Sequence, residues 1–157
     1  MAEFASNGQQ TVNPGESVVF NLAPVPCARG LINPRLGSGN ILLRGWLPNS
    51  LTCGCNCNRN LVAIYRVTFG ANIAIPDGGT ASSISLAFAI DGGTIEASTM
   101  TSTPSATDVF NCVSKTKSVS VVKGCCQTLT VRNISNQPIL VDSPSITIDR
   151  PDLCVTR

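Results

Sequence analysis

The sequence predicts an antiparallel β-sandwich or barrel of roughly nine or ten short strands, and three observations carry that reading. First, residues 61–91 hold two runs that alternate with a period of two. Leu61, Ala63, Tyr65, Val67 and Phe69 share one face of the first run, and Ile84, Leu86, Phe88 and Ile90 share one face of the second. A strand puts alternate residues on one side and a helix does not. Second, turn formers punctuate the chain, among them Pro14-Gly15, Pro76-Asp77-Gly78-Gly79 and Asp91-Gly92-Gly93. Third, no window carries helical periodicity or a heptad, and no internal repeat is visible.

Residues 1–11 are small and polar without periodicity and read as a flexible or partner-bound arm. Residues 12–157 read as one domain. Pro14-Gly15 suits the centre of a type II turn, and Ser17 to Asn21 follows as a strand. Residues 23–38 are rich in Pro and Gly and read as irregular. Ile41 to Leu47 reads as a strand buried on both sides. Residues 48–60 form a polar loop before the two central strands. Asp91-Gly92 supplies positive φ angles for a hairpin, so Thr94 to Met100 pairs back on the preceding strand. Residues 101–107 form a Ser/Thr/Pro loop. Val109–Val113 and Ser118–Val122 read as two strands, then Lys123 to Cys126 turns into a strand over Gln127–Arg132. After a loop at 133–138, Ile139–Val141 and Ser145–Ile148 complete the sheet.

Composition narrows the function. A chain of 157 residues can bury a real core. With 43% hydrophobic and 13% charged residues it does not have the composition of a disordered chain. The net charge is +2 with no basic run, so no nucleic-acid footprint is expected. So little charge on a β-rich chain points to surface covered by other subunits. There is no histidine, which removes the commonest general base and the commonest metal ligand. No apolar run reaches the roughly 20 residues of a membrane span. Met1 to Ser6 lacks the basic and apolar regions of a secretory signal. The expectation is a chain that is intracellular or reaches an exterior without that route.

Four segments, Asn13–Asn21, Tyr65–Phe69, Ile84–Gly92 and Ser145–Arg150, resemble strands of the tumour necrosis factor-like jelly rolls, the group that includes the complement globular heads. Ala63 stands where that group has Gly in its Gly-x-Tyr-x-Val strand. Thr68–Pro76 and Gly124–Asn133 are similar to blocks in the globular tips of collagen-like spore-surface (exosporium) proteins and in short proteins of Clostridia and their phages. The chain has no Gly-X-Y repeat, so it forms no collagen stalk. The resemblance implies an antiparallel jelly roll of roughly 8–10 strands. It also implies a compact homotrimer in which apolar and aromatic side chains meet on the threefold axis. Tyr65, Phe69, Leu86 and Phe88 are the candidate core or subunit-contact residues, and Trp46 is read the same way.

Eight cysteines are more than a domain of this size needs for stability. Cys53, Cys55 and Cys57 alternate, so an extended loop would point three thiols one way. They could bind Zn²⁺ or Cu⁺, form disulfides, or stay unpaired. A closed zinc site wants four ligands in a spacing absent here. Cys125-Cys126 reads as one inward and one outward thiol, or as a vicinal disulfide or cross-link. The cross-link candidates are therefore Cys53, Cys55, Cys57, Cys125, Cys126 and Cys154, with Cys27 and Cys112 completing the set. Gly78-Gly79 and Gly92-Gly93 read as turns, since neither opens a helix or precedes Lys-Ser or Lys-Thr. Asp77, Asp91, Asp108, Asp142 and Asp149 fall near loops, where they could hold Ca²⁺ or simply be solvated. Serines are plentiful, but no base is present to activate one through a triad. The expectation is no catalytic, cofactor or metal site and no enzyme. The leading reading is a structural, self-assembling homotrimer on a spore, cell or virion exterior, cross-linked by cysteines. The alternatives are a phage fibre, decoration or carbohydrate-binding head with a glycan or host-surface ligand, and then a metal-binding protein.

Overall fold

The computed structural model describes residues 1–27, 30–46 and 62–151. Its strands are β1 (Ala2–Ala5), β2 (Gln9–Val12), β3 (Leu22–Val25), β4 (Ile32–Arg35), β5 (Asn40–Arg44), β6 (Val62–Ala74), β7 (Ile84–Ile90), β8 (Gly93–Thr94), β9 (Met100–Ser102), β10 (Asn111–Val122), β11 (Cys126–Asn133) and β12 (Ile139–Asp149). One sheet runs β10-β6-β12-β1-β3, with β2 also on β12; the other runs β4-β5-β11-β7-β8, with β9 also on β7. Every ladder is antiparallel. The two sheets enclose one core, and the fold is a jelly-roll β-sandwich.

The period-two alternation sets the interior. Ala63, Tyr65, Val67 and Phe69 are buried along β6, as are Ile84, Leu86 and Phe88 along β7, while Ile90 is half-buried. Leu61 lies outside the described residues. β6 continues past Phe69 with Ala71 and Ile73 also facing in. Phe20 meets Phe69 edge to face, with centroids 6.5 Å apart and planes at 79°, a geometry that aromatic rings prefer. The Tyr65 hydroxyl donates to the carbonyls of Arg44 at 2.6 Å and Leu31 at 3.2 Å, joining the two sheets. The Arg150 guanidinium sits 5.0 Å from the Tyr65 ring centroid.

Several local expectations change. Residues 1–11 are not a free arm. β1 pairs with Ser145–Ile148 and β2 with Ile139–Asp142, both on β12. Ala2, Phe4 and Val12 are buried. The partner strand lies more than a hundred residues away, so nothing local marks the pairing. Ser17 to Asn21 forms no strand, only a bridge from Ser17 to Arg132. The Gln10 side chain takes the place of a ladder: its Nε2 donates to the Val19 carbonyl at 3.0 Å, and its Oε1 accepts from the Val19 N–H at 2.8 Å. β3 and β4 arise in the stretch read as irregular. They contain Pro24 and Pro34, and both are edge strands, where proline is tolerated.

β5 is buried on one side, through Ile41 and Leu43, and not on both. At the β7–β8 hairpin, Asp91 and Gly92 take φ of 50° and 85° as a primed turn requires. The strand then breaks into a 3-10 turn at Glu96–Ser98 before β9 resumes pairing with Ile84–Leu86. Ser98 Oγ holds that break by accepting the Phe88 N–H at 2.8 Å and donating to the Ile95 carbonyl at 2.6 Å. The two pairs of short strands expected over 109–122 and 139–148 are instead single long strands, β10 and β12. Ser143, with φ 49°, marks the irregularity in β12, where the register shifts between Asp142 and Ser145. Pairing with β6, unbroken for β10 and interrupted at that irregularity for β12, carries both strands through stretches whose own residues favour turns.

Candidate functional site

Two surfaces stand out, one on the outside of each sheet. The outer face of the first sheet centres on β6 and β10. Along β10, Ser114, Thr116, Ser118 and Ser120 point outward; opposite them on β6 stand Gly70, Thr68, Arg66 and Ile64. β12 adds Ser145 and Thr147 beside Gly70 and Thr68. Thr68 and Thr116 hydroxyls bond to each other at 2.9 Å. The centre of this face is therefore flat, small and uncharged. Charge adjoins it: Arg66 is the next outward residue beside Thr68 on β6, with Asp149 paired to it, and Glu3 pairs with Thr147. Exposed apolar side chains flank it: Ile64 and Val122 at one end, Val109 and Phe110 at the other.

β10 is also a 12-residue edge strand. Long edges invite strand addition, and inward-pointing charges are one way to prevent it. Lys115 and Lys117 occupy inward-facing register positions opposite Phe69 and Val67 and are half-buried. The edge is thus guarded while the face beside it is not.

The second surface is a groove of about 750 Å³ on the outside of the other sheet. Its floor is β11, from Thr128 and Thr130 to Arg132; the alternate residues Leu129 and Val131 face the core. Three turns wall it, at Gly15–Glu16, Gly37–Ser38 and Asp91–Gly92. Arg132 ties two of them together. Its Nε and Nη2 donate to the Gly15 carbonyl at 3.0 and 2.6 Å, and its Nη1 to the Gly92 carbonyl at 2.9 Å. Glu16 Oε2 accepts from the backbone N–H and the Nδ2 of Asn13 at 3.1 and 3.0 Å. Asp91 Oδ1 accepts the Thr128 N–H at 2.7 Å. On that floor the buried Thr130 hydroxyl has no hydrogen-bond partner among the described residues.

The residues singled out from the sequence scatter across the molecule. Tyr65, Phe69, Leu86 and Phe88 are all 0% exposed within one chain, so their side chains are committed to its own core. Trp46 is 50% exposed and is not a core residue. Cys125 and Cys126 are both exposed thiols, which corrects the expectation of one inward thiol. Cys125 precedes β11 and Cys126 is its first residue. Cys53, Cys55, Cys57 and Cys154 lie outside the described residues.

The described chain stops at Trp46 and resumes at Val62, and both anchors adjoin the thiol pair. Gly45 N–H donates to the Cys125 carbonyl at 2.8 Å, Gly124 N–H donates to the Gly45 carbonyl at 3.0 Å, and Val62 pairs with Val122. A Cβ at Gly45 would run into the Val122 carbonyl oxygen, so this crossing requires glycine. Cys112 pairs with Asn72, at the far end of the same ladder from the Val62–Val122 pair. Among the described residues, no three or more Cys, Asp or Glu cluster as a metal site.

Sequence reasoning missed Arg132 and Asn133, because the partners of both are turns remote in the chain. Asn133 is fully buried; its Nδ2 donates to the Val12 and Gln137 carbonyls at 2.9 Å each, and its Oδ1 accepts the Ser135 N–H at 2.8 Å. A buried amide within a strand rich in β-branched residues was the available signal.

The sequence matches no protein-family model and no curated protein at a significant level. Solved structures do match. The globular domain of zebrafish complement 1qA superposes with a TM-score of 0.61 at 10% identity, over 96% of this chain and 95% of that one. The Eiger tumour necrosis factor of S. frugiperda gives 0.61 at 12% identity, over 95% and 90%. At such identities the likeness is one of fold, and the chain has the jelly roll of the tumour necrosis factor and complement-head domains.

Proposed function

We propose that this jelly-roll domain is a non-enzymatic structural head that assembles with two further copies of itself through the outer face of β6 and β10, on the exterior of a spore, cell or virion. The observation that carries the reading is the uncharged Ser/Thr/Gly surface centred on Thr68, Gly70 and Thr116. Small side chains let a neighbouring backbone approach closely, and hydroxyls can pair with each other across a contact. Flanking exposed Ile64, Val122, Val109 and Phe110 supply apolar area for burial. A solvated β-sheet face normally carries charge alternating with its core residues. Among the described residues, no helix is long and apolar enough to cross a membrane.

The test is Thr116→Glu with Thr116→Ser beside it. Glutamate would place an unpaired carboxylate in the contact, at a cost of several kcal/mol. Light scattering should fall from the mass of three chains to that of one, with the sheet spectrum intact, while Thr116→Ser stays trimeric. A wild-type monomer at micromolar concentration, in low and high salt, would sink the proposal.

Cross-linking by cysteine is part of the same proposal. Two accessible thiols, Cys125 and Cys126, stand at the end of the sandwich where the described chain leaves toward Cys53, Cys55 and Cys57 and returns. A disulfide adds typically about 2–4 kcal/mol, and many of them across an assembly would make it resistant to heat and detergent. After oxidation, non-reducing electrophoresis should show a covalent ladder that the Cys53→Ser/Cys55→Ser/Cys57→Ser variant diminishes. An unchanged ladder in that variant would shift the role to Cys125, Cys126 or Cys154.

A further inference from the structure

We infer that the groove over β11 is a binding site for an uncharged, hydroxyl-rich ligand, the terminal unit of a neutral saccharide. The inference goes beyond the structural role above and does not depend on the trimer.

The groove is built, and it is held in place from within. Arg132 uses donors on all three of its nitrogens to hold the Gly15 and Gly92 carbonyls, which fixes the distance between two of the three walls. Glu16 and Asp91 are each anchored through one carboxylate oxygen, by Asn13 and by the Thr128 N–H. Among the described residues, the other oxygen of each makes no hydrogen bond. Two preorganised acceptors are therefore presented from different walls, and their positions are set before a ligand arrives, which lowers the cost of binding. The volume of about 750 Å³ falls in the range of roughly 300–1,000 Å³ for small-molecule sites.

Two free acceptors call for a ligand that donates hydrogen bonds. A metal ion is a poor fit, because Ca²⁺ takes about 6–8 oxygen ligands. Here the Gly15 and Gly92 carbonyls are already taken, and by a guanidinium whose positive charge opposes a cation. Strongly anionic ligands meet two carboxylates against one arginine. What remains is a neutral polyol. Its hydroxyls donate to the carboxylates and to the oxygen of Ser38, whose own proton is held by the Arg35 carbonyl, and accept from the Thr128 hydroxyl. None of the lining residues is aromatic, so ring stacking adds nothing and each site binds weakly. The groove lies on the outside of the second sheet, so it stays open when the first sheet's outer face is covered. Three copies in one trimer would then bind a multivalent glycan far more tightly than one.

The test is a titration of the ¹⁵N-labelled full chain with maltose, cellobiose, lactose and N,N′-diacetylchitobiose, each at millimolar concentration, followed by amide shifts. At least one sugar should move the amides of Gly15, Glu16, Gly92 and Thr128 together. Glu16→Gln and Asp91→Asn keep the anchoring acceptor oxygen and remove the charge, and asparagine tolerates the positive φ of position 91. Each should weaken binding roughly tenfold or more while the remaining spectrum is unchanged. The inference is overturned if no sugar moves those amides, or if the shifts map elsewhere. It is equally overturned if CaCl₂ or a lysine-rich peptide moves them and the sugars do not, or if both variants bind as wild type does. A protein that proves monomeric yet shows these shifts refutes the assembly proposal and leaves this one standing.

Discussion

Phe88→Asp is expected to leave no folded protein. Phe88 is 0% exposed at the centre of β7, paired with Val131 of β11 and facing the interior with Leu86. Aspartate removes a ring's worth of apolar burial, a loss of about 3–5 kcal/mol for a phenylalanine truncated in a core. It also places an unpaired carboxylate there, which costs several more. Together these match the whole stability of a typical domain, about 5–15 kcal/mol. The neighbouring position is the control. Ala87 is also fully buried, on the opposite side of the strand, so Ala87→Ser is not free of cost but leaves only one small hydroxyl to satisfy. Soluble yield and circular dichroism of the two variants decide the matter: equal tolerance would mean that the side of β7 facing the core is misassigned.

Asn133→Leu is expected to lower stability by about 3 kcal/mol or more, because three backbone groups, in one buried and two part-buried hydrogen bonds, lose their partner at once. They are the Val12 and Gln137 carbonyls and the Ser135 N–H. Leucine keeps the branched skeleton but ends in bulkier methyl groups, so at this fully buried position overpacking adds to the loss. In a domain of this size such a loss lowers the melting temperature by roughly 6–12 °C. A thermal melt within a degree or two of wild type would show that this amide is not what joins β2, β11 and the loop at 134–138.

These two positions mark where the chain could be read from its letters. Phe88 belongs to an alternation visible in Ile84, Leu86 and Phe88, and the same is true of Tyr65 and Phe69. Local periodicity reports burial directly when a strand has one face in the core. The Asp91-Gly92 hairpin was legible for a similar reason, since its chemistry is local. Asn133 and Arg132 were not legible, because their partners at Val12, Gly15 and Gly92 are brought near only by the sandwich. β1 was invisible for the same reason: its four residues have no strong pattern, and β12 supplies the ladder. The groove over β11 depends on three turns whose closeness no spacing in the chain encodes. The flat face around Thr68 and Thr116 was readable only as two polar half-periods, until pairing laid them side by side.

The sequence by itself determined the all-β class, the inward faces of the central strands and the excess of cysteine, because each is a property of neighbours in the chain. The tertiary structure alone decided which polar residues meet, since hydrogen-bond partners and grooves are set by contacts between segments that the chain order keeps far apart.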